Sequence, residues 1–173
     1  MKITIRREQP DDVQAIFELT RIAFEPQPFS NGTEQFIINA LRTAKALTLS
    51  LVAEVDARVV GHAAFSPVTI SDGACNWCGL GPLSVLPELQ RQGIGQALTH
   101  DGLFQIKQLG AAGCVVLGDP NYYVRFGFAS DLRFVYEGVE PKYFMILPFA
   151  ASEATGKVLF HPAFEATGDA NVL

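Results

Sequence analysis

In "KITIR", Ile3 and Ile5 alternate with polar residues, the period of a strand with one buried face. Pro10, Asp11 and Asp12 then supply first-turn helical residues, and Val13, Ile16, Phe17 and Phe24 follow at helical spacing. The pattern predicts a strand running into an amphipathic helix. "PQPFSNG" interrupts it, after which Phe36, Ile37, Ala40 and Leu41 in "TEQFIINALR" mark a second, shorter helix with Thr33 as its N-cap.

Two apolar runs, "LTLSLVAEV" and "RVVGHAAFSPVTI", flank Asp56-Ala57. "SDG", whose Asp72-Gly73 suits a tight turn, separates the second from "ACNWCGLGPLSV". Three antiparallel strands are expected. A helix then runs to about Leu109, with Ile94, Leu98, Ile106 and Leu109 on one face, Gly102 allowing close packing, and Gly110 and Gly113 ending it. "CVVLG" has the continuous apolar character of a central strand, and "PNYYVRF" reads as a short helix before Gly127. "LRFVY", "YFMILPF" and "KVLFHPAF" are closing strands, and only the tail "EATGDANVL" reads as loosely held. No internal repeat breaks this order, which makes the chain α+β with a mixed sheet.

With 173 residues, 49% of them apolar, the chain is expected to form one domain over 1–173. Its core should span about 2–150, with a C-terminal strand and tail over 151–173. A formal charge of -5 argues against nucleic acid or an anionic membrane as partner, because neither phosphate-rich surface attracts an acidic protein. No apolar run approaches the roughly 20 residues that cross a bilayer. The start "MKITIRREQPDD" lacks a secretion signal, so a cytoplasmic location with reduced thiols is expected. Cys75 and Cys78 spell C-x-x-C, but neither a second pair nor histidines at ligand spacing follow. No metal is assigned, and the cysteines, Cys114 included, are read as small buried hydrophobes.

The chemistry concentrates in "LQRQGIGQAL". Gly93 and Gly95 fall where a strand passes through a loop into a helix, a place where main-chain N–H groups lack intrahelical partners. Glycine lets the backbone approach a ligand, and the positive helix end favours an anion such as a phosphate or diphosphate, with Arg91 adding charge. The alternative is that the glycines only shape a turn. The spacing is neither G-x-G-x-x-G nor that of a P-loop, which disfavours dinucleotides and nucleoside triphosphates. In "CGLGPLSV" just before, Gly79, Gly81 and Pro82 weaken strand pairing, so a bulge or splay is expected. Leu83, Ser84 and Val85 would then offer main-chain groups to an extended amide chain.

Gln90-x-x-Gly93-x-Gly95 after "LSVLPE" resembles the coenzyme A diphosphate loop of the GNAT acetyltransferase family. The likeness extends to the order of elements over residues 2 to 136 and to "YVRFGF", which is similar to the family's Tyr-x-x-x-Gly-Phe segment. "GDPNYYVRFGF" and "FHPAF" resemble the bacterial YhbS-type branch most. The resemblance implies a mostly antiparallel central sheet, flanked by helices on both faces and splayed between its fourth and fifth strands. It implies an N-acetyltransferase that moves an acetyl group from acetyl-CoA to a primary amine, on a small molecule or peptide, by direct attack in a ternary complex. Gln90, Arg91, Gln92, Gly93, Ile94, Gly95 and Gln96 would hold the cofactor with Leu83, Ser84 and Val85. A monomer or homodimer fits either way.

The Leu83 N–H would steady the oxyanion, and Tyr123, in the family's general acid position, would protonate the departing thiolate. Tyr122 stands beside it as the alternative, and read alone a tyrosine here is first a packing residue. The splayed strand carries no Asp or Glu. Glu34, Glu54 and Asp119 are the substitute bases, each read otherwise as a solvated or capping residue. The family's Asn after the central strand is replaced by "LGDP". His62 faces either the acceptor or a satisfied core, and His100 and His161 read as structural. Phe24, Phe29 and Phe65 hint at a partly apolar acceptor cleft. No G-x-S-x-G element supports an acyl-enzyme. The competing readings are an acyl-CoA sensor that does not catalyse, and a site for another phosphorylated metabolite.

Overall fold

The computed structural model describes residues 1–168; the expectation for 169–173 lies outside them. The elements are β1 (Thr4–Arg7), α1 (Val13–Phe24), α2 (Glu34–Thr43), β2 (Leu49–Val55), β3 (Arg58–Ile70), β4 (Trp77–Val85), α3 (Ile94–Gln108), β5 (Gly113–Leu117), α4 (Pro120–Tyr123), β6 (Phe134–Val135), β7 (Phe144–Pro148) and β8 (Gly156–Leu159). They form one eight-stranded sheet in the order β1-β2-β3-β4-β5-β7, with β8 pairing β3 and β6. The β4–β5 and β6–β8 pairs are parallel and the others antiparallel, as expected for a mixed sheet.

Strand alternation decides which helix covers which face. On β2, Leu51 and Ala53 enter a core with Phe65, Leu98 and Ile106, whereas Val52 packs with Ile16 of α1 and Ile38 of α2. Thus α3 lies on one face, and α1 and α2 on the other. Gly102 sets the depth of α3, because a methyl there would sit 2.3 Å from the Phe65 ring. Towards β7 a separate core of Val68, Trp77, Val115, Phe144 and Val158 forms.

Several local expectations change. Thr33 sits at the N-cap of α2 without a side-chain bond, and Ser30 Oγ instead donates to Glu34 at 2.8 Å. Leu109 lies past the end of α3 and is exposed rather than on its buried face. Cys78 and Cys114 are buried, but Cys75 is exposed. Gly79 does not loosen the sheet: it pairs with Ser66 and Val115, and its missing side chain makes room for the Phe160 ring, 2.4 Å from where a Cβ would stand.

The loosening comes two residues later. On β3 the pairs Phe65–Leu80 and Ala63–Leu83 span two residues against three on β4, so β4 bulges at Gly81 and Pro82, whose peptide bond is cis. β5 pairs with β4 only from Trp77 to Leu80. Past that point the fourth and fifth strands part, leaving a fork open towards the start of α3.

Candidate active site

Within the fork β4 has a strand neighbour on one side only. Leu83, Ser84 and Val85 pair with Ala63, His62 and Gly61. Leu86 N donates to Val60 O at 3.0 Å, so alternation turns the main chain of Ser84 towards β3 and that of Leu83 and Val85 into the gap. Val85 O accepts from Gln90 Nε2 at 3.1 Å, which ties the loop to the strand. Ser84, expected beside its neighbours, looks the other way: its Oγ meets Thr20 Oγ1 at 3.1 Å in the interior beneath α1.

A 3-10 turn, Pro87–Leu89, leads from β4 towards α3. Arg91 (φ +61°) and Gly93 (φ +88°) then turn the chain through the left-handed region. For Arg91 this costs about 1 kcal/mol, whereas Gly93 adopts it freely. No side chain caps α3, so its first-turn N–H groups remain uncapped. They border a cleft of about 480 Å³ shared by Leu83, Val85, Gln90, Arg91 and residues 93–96. Gln92 does not line it; its Nε2 turns back to Glu88 O at 3.3 Å. A methyl on Gly95 would lie 2.7 Å from Tyr122 Oη, so the glycine lets Tyr122 pack against the start of α3.

Tyr122 and Arg125 complete the lining. The Tyr122 hydroxyl is buried beside Thr99 of α3, and burial raises its pKa. Arg125 was missed in the sequence, where nothing distinguishes it from a surface arginine. Its Nε donates to Tyr122 O at 2.8 Å, and its guanidinium lies 4.9 Å from the Tyr122 ring centroid. Tyr123, the expected acid, is not among the residues lining the cleft; it is almost wholly buried, its ring against Phe128 and against Gly118, just past β5. Burial lifts its pKa well above that of a free phenol, so it holds its proton at neutral pH. The neighbouring tyrosines thus occupy opposite sides: Tyr122 meets α3, and Tyr123 meets the β5 arm of the fork.

The candidate bases are occupied elsewhere. Glu34 accepts from Ser30, Glu54 pairs with Arg6 at 2.5 Å, and Asp119 caps α4 by accepting from Asn121 N at 2.9 Å. His62 belongs to a network that the sequence did not reveal. Its Nε2 lies 2.8 Å from Ser50 Oγ, Ser50 in turn donates to Glu8, and Arg42 binds Glu8 at 2.6 Å. Ser50's proton being spent on Glu8, His62 donates from Nε2 and leaves Nδ1 without a partner. Full burial drives the His62 pKa down to about 4, which keeps the ring neutral. Burial pushes the Glu8 carboxyl up, but hydrogen bonds from Arg42 and Ser50 outweigh it and hold the pKa below its usual value. His100 stacks edge-on against Phe126, and His161 Nδ1 accepts from Ala163 N at 3.1 Å. Phe65, expected near the acceptor, is fully buried against α3, whereas Phe29 is 74% exposed on the α1–α2 loop.

Among the described residues no cluster of His, Cys, Asp and Glu is arranged to hold a metal, and no helix is long and apolar enough to cross a membrane. Residues 47–130 match the family model for an acetyltransferase (GNAT) domain. The chain is 36% identical over 167 residues to the uncharacterized N-acetyltransferase YhbS of Escherichia coli K12, covering 92% of this chain and 97% of that protein. Its fold is similar to the crystal structure of a GNAT family acetyltransferase from Brucella melitensis in complex with acetyl-CoA, at 48% identity and a TM-score of 0.85 over 95% of this chain and 99% of that one. It is also similar to the structure of Escherichia coli YhbS in complex with CoA, at 34% identity and a TM-score of 0.86 over 97% and 94% of the two chains.

Proposed function

The chain belongs to the GNAT acetyltransferase family, and we propose that it is a single-domain N-acetyltransferase that passes an acetyl group from acetyl-CoA directly to a primary amine. The observation that carries this reading is the meeting, in one cleft, of an uncapped helix start with an unpaired strand edge. Bare amides and Arg91 suit a diphosphate, and the outward main chain of Leu83 and Val85 suits an extended amide arm. The relatives crystallised with acetyl-CoA and CoA support the same ligand.

Acetyl-CoA supplies a thioester whose acyl carbon an amine can attack. The first-turn amides of α3 and Arg91 hold the diphosphate, while Leu83 and Val85 align the arm along the open edge of β4. The Leu83 N–H stabilises the charge that grows on the acyl oxygen as the amine adds. Tyr123, kept protonated by burial at the β5 arm, gives its proton to the sulfur as the carbon–sulfur bond breaks. Its position in the Tyr-x-x-x-Gly-Phe segment, rather than the cleft lining, favours it over Tyr122 for this step. With Glu54 and Asp119 engaged structurally, no side chain is assigned to take the proton of the amine.

Thiol release from acetyl-CoA, measured across polyamines, aminoglycosides, amino acids and peptide N-termini, tests the reading. Amine-dependent release with at least one class is expected. CoA binding without release across the whole panel would instead support the acyl-CoA sensor, the reading favoured by the absence of a carboxylate from β4.

A further inference from the structure

We propose that Arg125 is a phosphate ligand, a second anchor for the carrier opposite the start of α3; this rests on the coenzyme A reading above. Among the described residues Arg6, Arg21, Arg42, Arg58 and Arg133 are ion-paired and Arg7 donates to Gln105, whereas Arg91 and Arg125, which have no carboxylate partner, both line the cleft. In a chain of net charge -5, two arginines left free in one cleft give it a local positive character that the whole molecule lacks.

Arg125 is also held in place before any ligand arrives. Nε donates to Tyr122 O at 2.8 Å, Nη2 reaches Asn121 O at 3.4 Å, and the guanidinium packs over the Tyr122 ring. These contacts occupy Nε and one donor of Nη2, and Nη1 retains both of its N–H donors. A planar cation with free donors, fixed on the cleft wall, matches the oxygens of a phosphate. The carrier offers two such groups, its diphosphate and its ribose 3′-phosphate.

Calorimetric titration of the full chain, wild type, Arg125→Gln and Arg125→Lys, with CoA and with 3′-dephospho-CoA tests the assignment. Arg125→Gln should weaken CoA binding about tenfold or more, and Arg125→Lys should recover part of the loss by restoring charge without the fork. An equal loss for both ligands puts Arg125 on the diphosphate, and a loss confined to CoA puts it on the 3′-phosphate; each supports the proposal. Raising salt from about 0.05 to about 0.5 M should weaken the wild type more than Arg125→Gln, a difference that a merely structural arginine would not produce. Arg125→Gln binding CoA within about twofold of the wild type, with the same salt dependence, would overturn the proposal. Wild-type protein that binds no CoA would instead overturn the coenzyme A reading itself.

Discussion

Two parts of one sheet treat their polar atoms in opposite ways. Where β1, β2 and β3 lie near α1 and α2, Arg6 grips Asp12 and Glu54, and Glu8 gathers Ser50, His62 and Arg42, so that charge is neutralised inside the fold. At the fork, the main chain of Leu83 and the first turn of α3 are left without such partners. The same kinds of group therefore serve two ends. Paired internally, they join strands to helices; left open on a rigid frame, they are ready for a ligand without first having to break a bond.

Perturbing each region in turn sharpens that contrast. The largest effect is expected at the fork: Tyr123→Phe should lower amine-dependent thiol release by about 10²-fold or more while leaving CoA affinity, read by calorimetry, nearly intact. Unchanged turnover would remove Tyr123 from the mechanism. In the paired region the effect is on stability. The unfolded chain takes up a proton at His62 near its ordinary pKa of 6.5, whereas the folded chain resists until about 4. Stability should therefore fall as pH drops through that window, by on the order of 3 kcal/mol from this group. Glu8, held below its usual value, adds to the loss at the acid end. Denaturant titrations between pH 7 and pH 4 should show a shallower slope for His62→Gln than for the wild type; equal slopes would refute the assignment.

A smaller and more selective effect is expected at Gly95, where a methyl would meet Tyr122 Oη at 2.7 Å. Gly95→Ala should weaken CoA binding by about tenfold while changing stability by less than about 1 kcal/mol, because a displaced Tyr122 would reshape the cleft it lines while alanine favours a helix. A large loss of stability with unchanged binding would mean that Gly95 belongs to the packed frame.

What was legible in the sequence follows the same division. Periodicity located most helices and strands, although "KVLFHPAF" leaves the sheet after Leu159 and closes in a 3-10 turn from Pro162; glycine and proline marked the bulge, because those signals act between residues close along the chain. Gly102 was read correctly as a close-packing site, although its partner, Phe65, was assigned to the acceptor side. The Glu8–Ser50–His62–Arg42 network joins residues brought together only by strand pairing and by α2, so no local pattern announces it. Arg125 was hidden for a similar reason: its role depends on α4 facing the start of α3. Ser84 and Val85 are adjacent in sequence yet open to different sides, a distinction that needs the register of the β3–β4 ladder.

The C-terminal layer gives the chain an optical gauge. Trp77, the sole tryptophan, is 2% exposed at the opposite end of β4 from the fork, among side chains that include Phe134 and Val158 of β6 and β8. Its fluorescence should stay blue-shifted as long as β8 remains zipped to the end of β3, and should redden once that strand peels away, even if the rest of the sheet holds. One emission band can thus separate fraying of the outer layer from events at the mouth of the cleft.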